Sequence, residues 1–219
     1  MSRFIEVSHP VVAGMKTYPG LPEPSVEVNL SYEASHERYQ GKAEFFIASV
    51  HLCGNTGTYV DSPVHRHRGE SDLASLPLER LADMETVVVD CSGSERAIDA
   101  SALADVEVRY RAVLIRTDFS RHWGTPSYFS EPNPFLTADA GEMLVRQGAL
   151  FVGIDSLNID DTSDWARPAH TILLGAGIPI CEHMTNLEAV PASGGRLHAV
   201  PIAWVGGASF PVRAYVIAK

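Results

Sequence analysis

The sequence predicts an α/β fold, organised as a single domain over residues 1–219. Short apolar runs typical of buried strands alternate along the chain with patterns typical of helices. At 219 residues, with 45% hydrophobic and 20% charged residues, the chain is long enough to bury a substantial core without splitting. No repeat or low-complexity tract interrupts this pattern.

Four segments are expected to form strands. Residues 44–52 are largely apolar and lead into a loop rich in polar side chains. Residues 85–90, 112–116 and 150–154 are apolar runs of the kind found in central strands that are covered on both faces.

A helix is expected between the last two of these strands. Thr137 is suited to its N-cap, Asp139 to its first turn and Gly148 to its C-terminal end. The side chains expected to face the core are Ala140, Met143 and Leu144.

Two further segments complete the predicted architecture. Residues 121–135 contain prolines, a glycine and aromatic residues that preclude a regular element. We expect a long structured loop there, either a wall of a pocket or a surface packed against a neighbouring subunit. Residues 199–204 and 212–218, joined through Gly206 and Gly207, are expected to form a hairpin.

The composition excludes several classes of function. The formal net charge is −10 and the chain has no basic run, so nucleic acid is not an expected partner. No apolar run approaches the ~20 residues that span a bilayer, and the first residues lack the pattern of an export signal. Cys53, Cys91 and Cys181 have no Cys-x-x-Cys spacing, so we expect no disulfide framework and a cytoplasmic location.

Two distant segments carry an unusual density of ionisable side chains. The stretch from His51 to His67 contains three histidines, an aspartate, a cysteine and a tyrosine around a turn rich in glycine and proline. Downstream, His170 and Glu182 lie in an otherwise apolar run, where an unpaired carboxylate is costly to bury. We therefore expect the two segments to form one site.

These residues resemble the metal-dependent cyclase and hydrolase family that includes bacterial N-formylkynurenine formamidase (arylformamidase) and isatin hydrolase. The family pattern is His-x-x-x-His-x-Asp-x-x-x-His, followed much later by a His and a Glu. The matching positions here are Gly57, Thr58, Asp61, Pro63, His65, the Gly-Ile-Asp run at 153–155, His170 and Glu182. The resemblance implies a swivelling β/β/α fold, with a mixed β-barrel-like core flanked by helices, and a homo-oligomer with sites near subunit contacts.

The chain departs from the family pattern at Asn55 and Tyr59, which stand where the first two histidines would be. The resemblance implies that those histidines and the Asp hold one metal, while the Asp, the late His and the late Glu hold or complete a second. Carried over, Asp61, His170 and Glu182 remain, so one divalent ion per chain, Zn or Mn, is expected there. The first position is expected to be empty, because a neutral amide and a phenol are weak ligands.

The resemblance also implies the chemistry of the site. A divalent ion would acidify a bound water and polarise a substrate carbonyl, and His65 would act as the general base. Tyr59 is expected to donate a hydrogen bond to the developing oxyanion if its side chain faces the site.

Several functions remain open at this point. The leading interpretation is a metal-dependent hydrolase of a small amide, lactam, lactone or ester. The alternatives are a lyase or cyclase acting through an enolate, and a catalytically silent ligand-binding relative. Arg66, Arg68 and Arg80 lie close to the motif, which leaves a carboxylate-bearing small-molecule substrate possible.

For the remaining histidines and cysteines near the motif, a structural role is at least as well supported as a role in the site. His67 is not required by the family pattern and is expected to be solvated or to lie behind the site. His51 and His183 are as suited to a structural role as to the pocket. Cys53 and Cys181 are expected to be small buried apolar residues rather than nucleophiles.

Overall fold

The chain folds around one mixed nine-stranded sheet. The structure is a computed structural model that describes residues 2–130 and 132–218. In those ranges the strands are β1 (Arg3–Glu6), β2 (Ser25–Leu30), β3 (Ile47–His51), β4 (Tyr59–Asp61), β5 (Met84–Asp90), β6 (Ala97–Ile98), β7 (Ala112–Arg116), β8 (Phe135–Leu136), β9 (Phe151–Ile154), β10 (Ile180–Glu182), β11 (Ser193–His198), β12 (Ser209–Pro211) and β13 (Tyr215–Ala218). The α-helices there are α1 (Tyr32–Arg38), α2 (Ser127–Ser130), α3 (Ala138–Gln147) and α4 (Pro168–Gly175). None of these helices is long and apolar enough to cross a membrane.

The predicted α/β class with a barrel-like core is confirmed. The nine strands follow the order β1-β13-β11-β5-β7-β9-β10-β4-β12, and the sheet curls into a half-barrel. Its central strands β5, β7, β9 and β10 are parallel neighbours, and antiparallel strands extend both sides. The three apolar runs predicted as buried strands are β5, β7 and β9.

Side chains on the two faces of the central strands pack into two separate cores. In β7, Ala112 and Leu114 contact one core, whereas Val113 and Ile115 contact the other. Successive side chains on a strand point to opposite faces, so a strand covered on both faces needs an apolar residue at every position. Helices α3 and α4 cover the second core, and this fixes α4 beside β10.

Helix α3 begins and ends where the sequence predicts. Thr137 occupies its N-cap, and Gly148 its C-cap with a left-handed φ of +80°. Ala140 and Leu144 are buried, and Met143 packs against the same core. The expected side-chain cap is nevertheless wrong, because the Thr137 hydroxyl makes no hydrogen bond to the helix N-terminus.

The hairpin predicted for residues 199–204 and 212–218 is wrong. Strand β11 ends at His198 and pairs with β13. Between these two strands in the sequence, the chain crosses to the opposite edge of the sheet and contributes β12 there. Strand β12 pairs with β4 instead. A strand of three residues carries too few positions for a periodic pattern, which is why the sequence did not indicate it.

Two other segments differ in part from expectation. The strand predicted at 44–52 is present as β3, but it pairs with β2 in a separate two-stranded ribbon. The segment 121–135 contains α2 and ends on β8, so the expectation that it lacks a regular element is wrong. Its Tyr128 is fully buried and forms a small aromatic core with Phe119 and Leu157.

Candidate metal centre and active site

Three short neighbouring strands bring the two ionisable segments together. Strand β4 lies between β10 and β12, with Tyr59 opposite Glu182 and Asp61 opposite Ser209. The loop before β4 packs directly against the backbone of β12. The contact is so close that a side chain at Gly54 would overlap the backbone carbonyl of Ser209, and glycine is therefore required there. Strand register therefore determines which polar side chains meet.

Asp61 is fully buried at the centre of this arrangement. Its Oδ1 accepts a short hydrogen bond from the Ser209 hydroxyl and lies 3.6 Å from His65 Nδ1. Its Oδ2 lies 3.8 Å from His170 Nε2. Burial opposes ionisation, but the two imidazoles and the Ser209 hydroxyl outweigh it and lower the pKa of Asp61.

Glu182 is also fully buried, and its two oxygens have different partners. Oε2 accepts a short hydrogen bond from the Tyr59 hydroxyl, while Oε1 accepts from the backbone N–H of Ile159 at 2.7 Å. Burial raises the pKa of Glu182 to about 7, against the opposing effect of His170. Burial, together with Glu182 and Asp61, raises the pKa of Tyr59 well above its ordinary value, so the phenol keeps its proton.

His170 is held by Asp160, a residue that the sequence analysis did not identify. Asp160 Oδ2 accepts from His170 Nδ1 at 2.6 Å and from the His170 backbone N–H at 3.1 Å, and Oδ1 accepts from the Ala169 N–H at 2.6 Å. The contact leaves His170 Nε2 facing Asp61 and, at 3.6 Å, Glu182 Oε1. Burial lowers the pKa of His170, but the three carboxylates outweigh it and raise that pKa to about 10.

His65 lies at the edge of the cluster, on the turn Pro63–His65 that directly follows β4. Its side chain is 32% exposed, and its Nδ1 lies 3.1 Å from the Ser209 hydroxyl. Ser209 therefore contacts both Asp61 and His65, and it is a second site residue that the sequence did not indicate.

The cluster suits a divalent cation. Asp61, His65 and His170 each offer a ligand atom within 4.8 Å of one another, and Glu182 approaches the same nitrogen of His170. Asp61 Oδ2 is buried with no hydrogen-bond partner in the described part of the chain. Such an oxygen is costly to bury without a cation or water beside it, and a mixed imidazole and carboxylate set suits zinc or manganese.

A pocket of about 320 Å³ opens beside the cluster, which is a volume suited to a small molecule. Both predicted catalytic residues line it, and so do two of the three predicted metal ligands. The lining residues are Tyr18, Leu21, Asn55, Tyr59, His65, Arg66, Asn158, Arg167, His170 and Glu182. None of the described residues of 121–135 is among them.

The other histidines near the motif, His51, His67 and His183, do not line this pocket. His67 Nε2 lies 3.0 Å from the Thr171 carbonyl, and the exposed His51 lies 3.4 Å from Glu27. His183 is buried, with its Nδ1 2.8 Å from the Tyr128 hydroxyl. These contacts give each histidine a structural role.

The cysteines do not line this pocket either. All three are free. Cys181 is fully buried, and burial raises the pKa of its thiol well above the ordinary value, so it is not a nucleophile at neutral pH.

Comparison with known proteins gives a consistent result. A family model described as a putative cyclase matches residues 5–161. Kynurenine formamidases from Bacillus cytotoxicus and Bacillus cereus (strain ATCC 14579) are 29% and 30% identical, over 98% of this chain and 97% of each relative.

Solved structures share the fold over nearly the whole chain. Isatin hydrolase A from Labrenzia aggregata, bound to benzyl benzoate, superimposes with a TM-score of 0.85 at 21% identity, covering 99% of this chain and 94% of that one. A potential metal-dependent hydrolase with cyclase activity superimposes with a TM-score of 0.81 at 23% identity, covering 100% and 99%.

Proposed function

We propose that this chain, which belongs to the putative cyclase family, is an enzyme that hydrolyses a small amide with the help of a divalent metal ion. The observation that carries the proposal is the convergence of Asp61, His170 and Glu182, with one carboxylate oxygen that has no partner among the described residues, beside a small pocket that His170 and Glu182 line. The names of its relatives, kynurenine formamidase and isatin hydrolase, support hydrolysis over the lyase, cyclase and catalytically silent alternatives.

We assign Asp61, His170 and Glu182 as the residues that would hold one zinc or manganese ion. Bound there, the ion would supply Lewis acidity, which polarises a carbonyl and lowers the pKa of water. Asn55 and Tyr59 do not provide a second ion with strong ligands, and the Tyr59 hydroxyl already donates to Glu182.

His65 is proposed as the general base. Its Nδ1 lies beside Ser209 and Asp61, which orient the ring and leave Nε2 for the pocket. In the first step His65 takes a proton from the attacking water as oxygen bonds to the amide carbon. In the second step it returns that proton to the departing nitrogen, which gives an acid and an amine.

Tyr59 is proposed to serve the reaction by positioning Glu182. Donation of its hydroxyl to the substrate oxyanion would require that hydroxyl to leave Glu182 Oε2. The position of Tyr59 in the pocket lining supports either contact.

The test uses an aryl formamide, formanilide, in water enriched in oxygen-18. We expect equal amounts of aniline and formate, with one labelled oxygen in the formate because its second oxygen comes from water; no turnover of formanilide would contradict amide hydrolysis. His65→Ala should lower turnover by roughly 100-fold or more while the metal content stays unchanged. His67→Ala is the matched control, because His67 contacts the Thr171 carbonyl outside the pocket and should keep full activity. Loss of the metal in His65→Ala would indicate that His65 is a metal ligand. Full turnover by the same variant would show that His65 is not the general base.

We further propose that the protein is a cytoplasmic homo-oligomer. The free state of all three cysteines supports a reducing compartment. The β2–β3 ribbon supports self-association, because an apolar surface of this kind on a soluble chain marks an interface. The exposed apolar side chains of that ribbon and its approach are Val26, Val28, Phe45, Phe46, Ile47 and Val50.

A further inference from the structure

Two arginines line the pocket beside the acidic cluster. Arg66 follows the turn that carries His65, and Arg167 directly precedes the helix that carries His170. Arg66 Nη2 donates to the carbonyl of Ala166 at 3.1 Å, so the two segments are in direct contact. Arg66 and Arg167 therefore line the pocket from two segments that touch each other.

The hydrogen-bond acceptors of both guanidinium groups are uncharged. Arg66 donates from Nε to the Thr171 hydroxyl at 2.9 Å, and from Nη2 to the Ala166 carbonyl. Arg167 donates from Nη1 to the backbone carbonyl of Asp161 at 2.7 Å. Within residues 2–130 and 132–218 neither arginine pairs with a carboxylate, although several other arginines of this acidic chain do.

These contacts hold the guanidinium groups in place without neutralising them. Among the described residues, Arg66 Nη1 and Arg167 Nε and Nη2 have no hydrogen-bond partner, so their N–H donors are available to a ligand. A guanidinium held by neutral acceptors keeps its full charge, and its planar fork matches the two oxygens of a carboxylate.

The backbone at Arg167 supports a functional role for its side chain. Its φ of +49° and ψ of +60° lie in the left-handed region, which residues other than glycine adopt rarely. Strain of this kind concentrates at functional sites. Glycine or asparagine would form the same turn with less strain, so the turn itself does not explain an arginine there.

We infer that Arg66 and Arg167 form a carboxylate-binding subsite, and that the substrate is a small amide with a carboxylate away from the bond that is cleaved. The amide part of this inference rests on the proposed function, whereas the carboxylate subsite rests on the arginines alone. Glu182 lines the same pocket and Asp61 is buried beside it, and their negative charges disfavour an anionic group next to them, which would direct the substrate carboxylate towards the arginines.

The first test measures binding without turnover. Benzoate and its neutral counterpart benzamide are titrated calorimetrically into the purified metal-loaded protein and into Arg66→Gln, Arg167→Gln and Arg80→Gln. Arg80 is the matched control, since it also donates to a backbone carbonyl, that of Gly177, but does not line the pocket. A cooperative thermal unfolding transition shows that a variant is folded. If either Arg66→Gln or Arg167→Gln does not fold, the other variant still tests the subsite.

We expect benzoate to bind at least ~10-fold more tightly than benzamide, and each pocket variant to lose ~10-fold or more of the benzoate affinity. The control variant should bind both compounds as the unaltered protein does. Undiminished benzoate affinity in both pocket variants would place the carboxylate elsewhere, on the metal for example, and would overturn the inference. Absence of measurable benzoate binding to the unaltered protein would overturn it too.

The second test separates this inference from the proposed function. Steady-state rates are compared for formanilide and 3-formamidobenzoate, which differ by one carboxylate. Arg66→Gln should raise KM for 3-formamidobenzoate by at least ~10-fold more than it raises KM for formanilide. Hydrolysis of neither amide, together with arginine-dependent benzoate binding, would refute the proposed function and leave the carboxylate subsite supported. Equal effects on both amides would refute the subsite.

Discussion

Replacing Asp160 by alanine tests how the fold holds His170 in place. The substitution removes the acceptor of three hydrogen bonds, two to backbone N–H groups in the first turn of α4 and one to His170 Nδ1. All three donors are buried. Asp160 therefore fixes both the position of the helix and the orientation of the imidazole ring.

The size of the effect follows from these contacts. A hydrogen bond to a charged group contributes about 1.5–3 kcal/mol, and bonds that share one side chain do not add. We expect Asp160→Ala to lower the free energy of unfolding by roughly 3–5 kcal/mol, as for removal of one partner from a buried ionic contact. For a chain of this length the corresponding fall in Tm is roughly 6–20 °C.

Metal binding should weaken as well. The hydrogen-bond partner of the other ring nitrogen fixes the tautomer and the ring orientation of a histidine ligand. We expect Asp160→Asn, which keeps one acceptor oxygen, to fold and to bind a divalent ion ~10- to 100-fold more weakly. Chemical denaturation gives the stability, and titration with zinc in a competing chelator gives the affinity. Asp164→Ala is the control, because Asp164 is exposed and, among the described residues, its side chain accepts only from the Ala166 N–H.

The reasoning would be refuted by an Asp160→Ala protein that unfolds within about 1 kcal/mol of the Asp164→Ala control and binds zinc as the unaltered protein does. That result would mean that packing of α4 against the sheet suffices to orient His170, without its carboxylate partner.

Three further changes test other parts of the structure. Asn55→His combined with Tyr59→His should recruit a second ion per chain, measured by elemental analysis, because two imidazoles and a shared carboxylate restore a three-ligand set. Tyr59→Phe alone should lower the free energy of unfolding, measured with denaturant, by about 1–3 kcal/mol and should weaken metal binding, since Glu182 Oε2 loses its donor. Unchanged stability and metal affinity would mean that the Tyr59 ring only packs in the core. Gly153→Ala should cost about 1–3 kcal/mol in the same assay, because the added Cβ overlaps the Met184 sulfur.

The parts of the fold that could be predicted are those with a strong local signal. Residues 87–89 of β5, 112–115 of β7 and 151–154 of β9 form continuous runs without a polar side chain, because both faces of these strands are covered. The convergence of Asp61, His170 and Glu182 was predictable for a different reason. Buried charges need partners, and the spacing of these residues matches the pattern of a known family.

The parts that could not be predicted depend on tertiary register. Ser209 belongs to a strand of three residues whose partner, β4, lies far away in the sequence, and nothing local indicates that it meets Asp61. Asp160 precedes a second aspartate in a polar turn, where either residue would ordinarily stabilise the loop. Tyr18 and Leu21 reach the pocket from a loop with no catalytic signal. Residues 121–135 contribute Trp123, Tyr128 and Phe129 to a small apolar cluster, and their described residues do not line this pocket.

The central claim is that one divalent ion is held by Asp61, His170 and Glu182. Elemental analysis of the purified protein and of Glu182→Gln, after dialysis against the same buffer, tests it most directly. The account predicts close to one zinc or manganese ion per chain in the unaltered protein and a clear loss in Glu182→Gln, because the amide replaces an anionic ligand. Two tightly held ions per chain, or undiminished metal in Glu182→Gln, would contradict it.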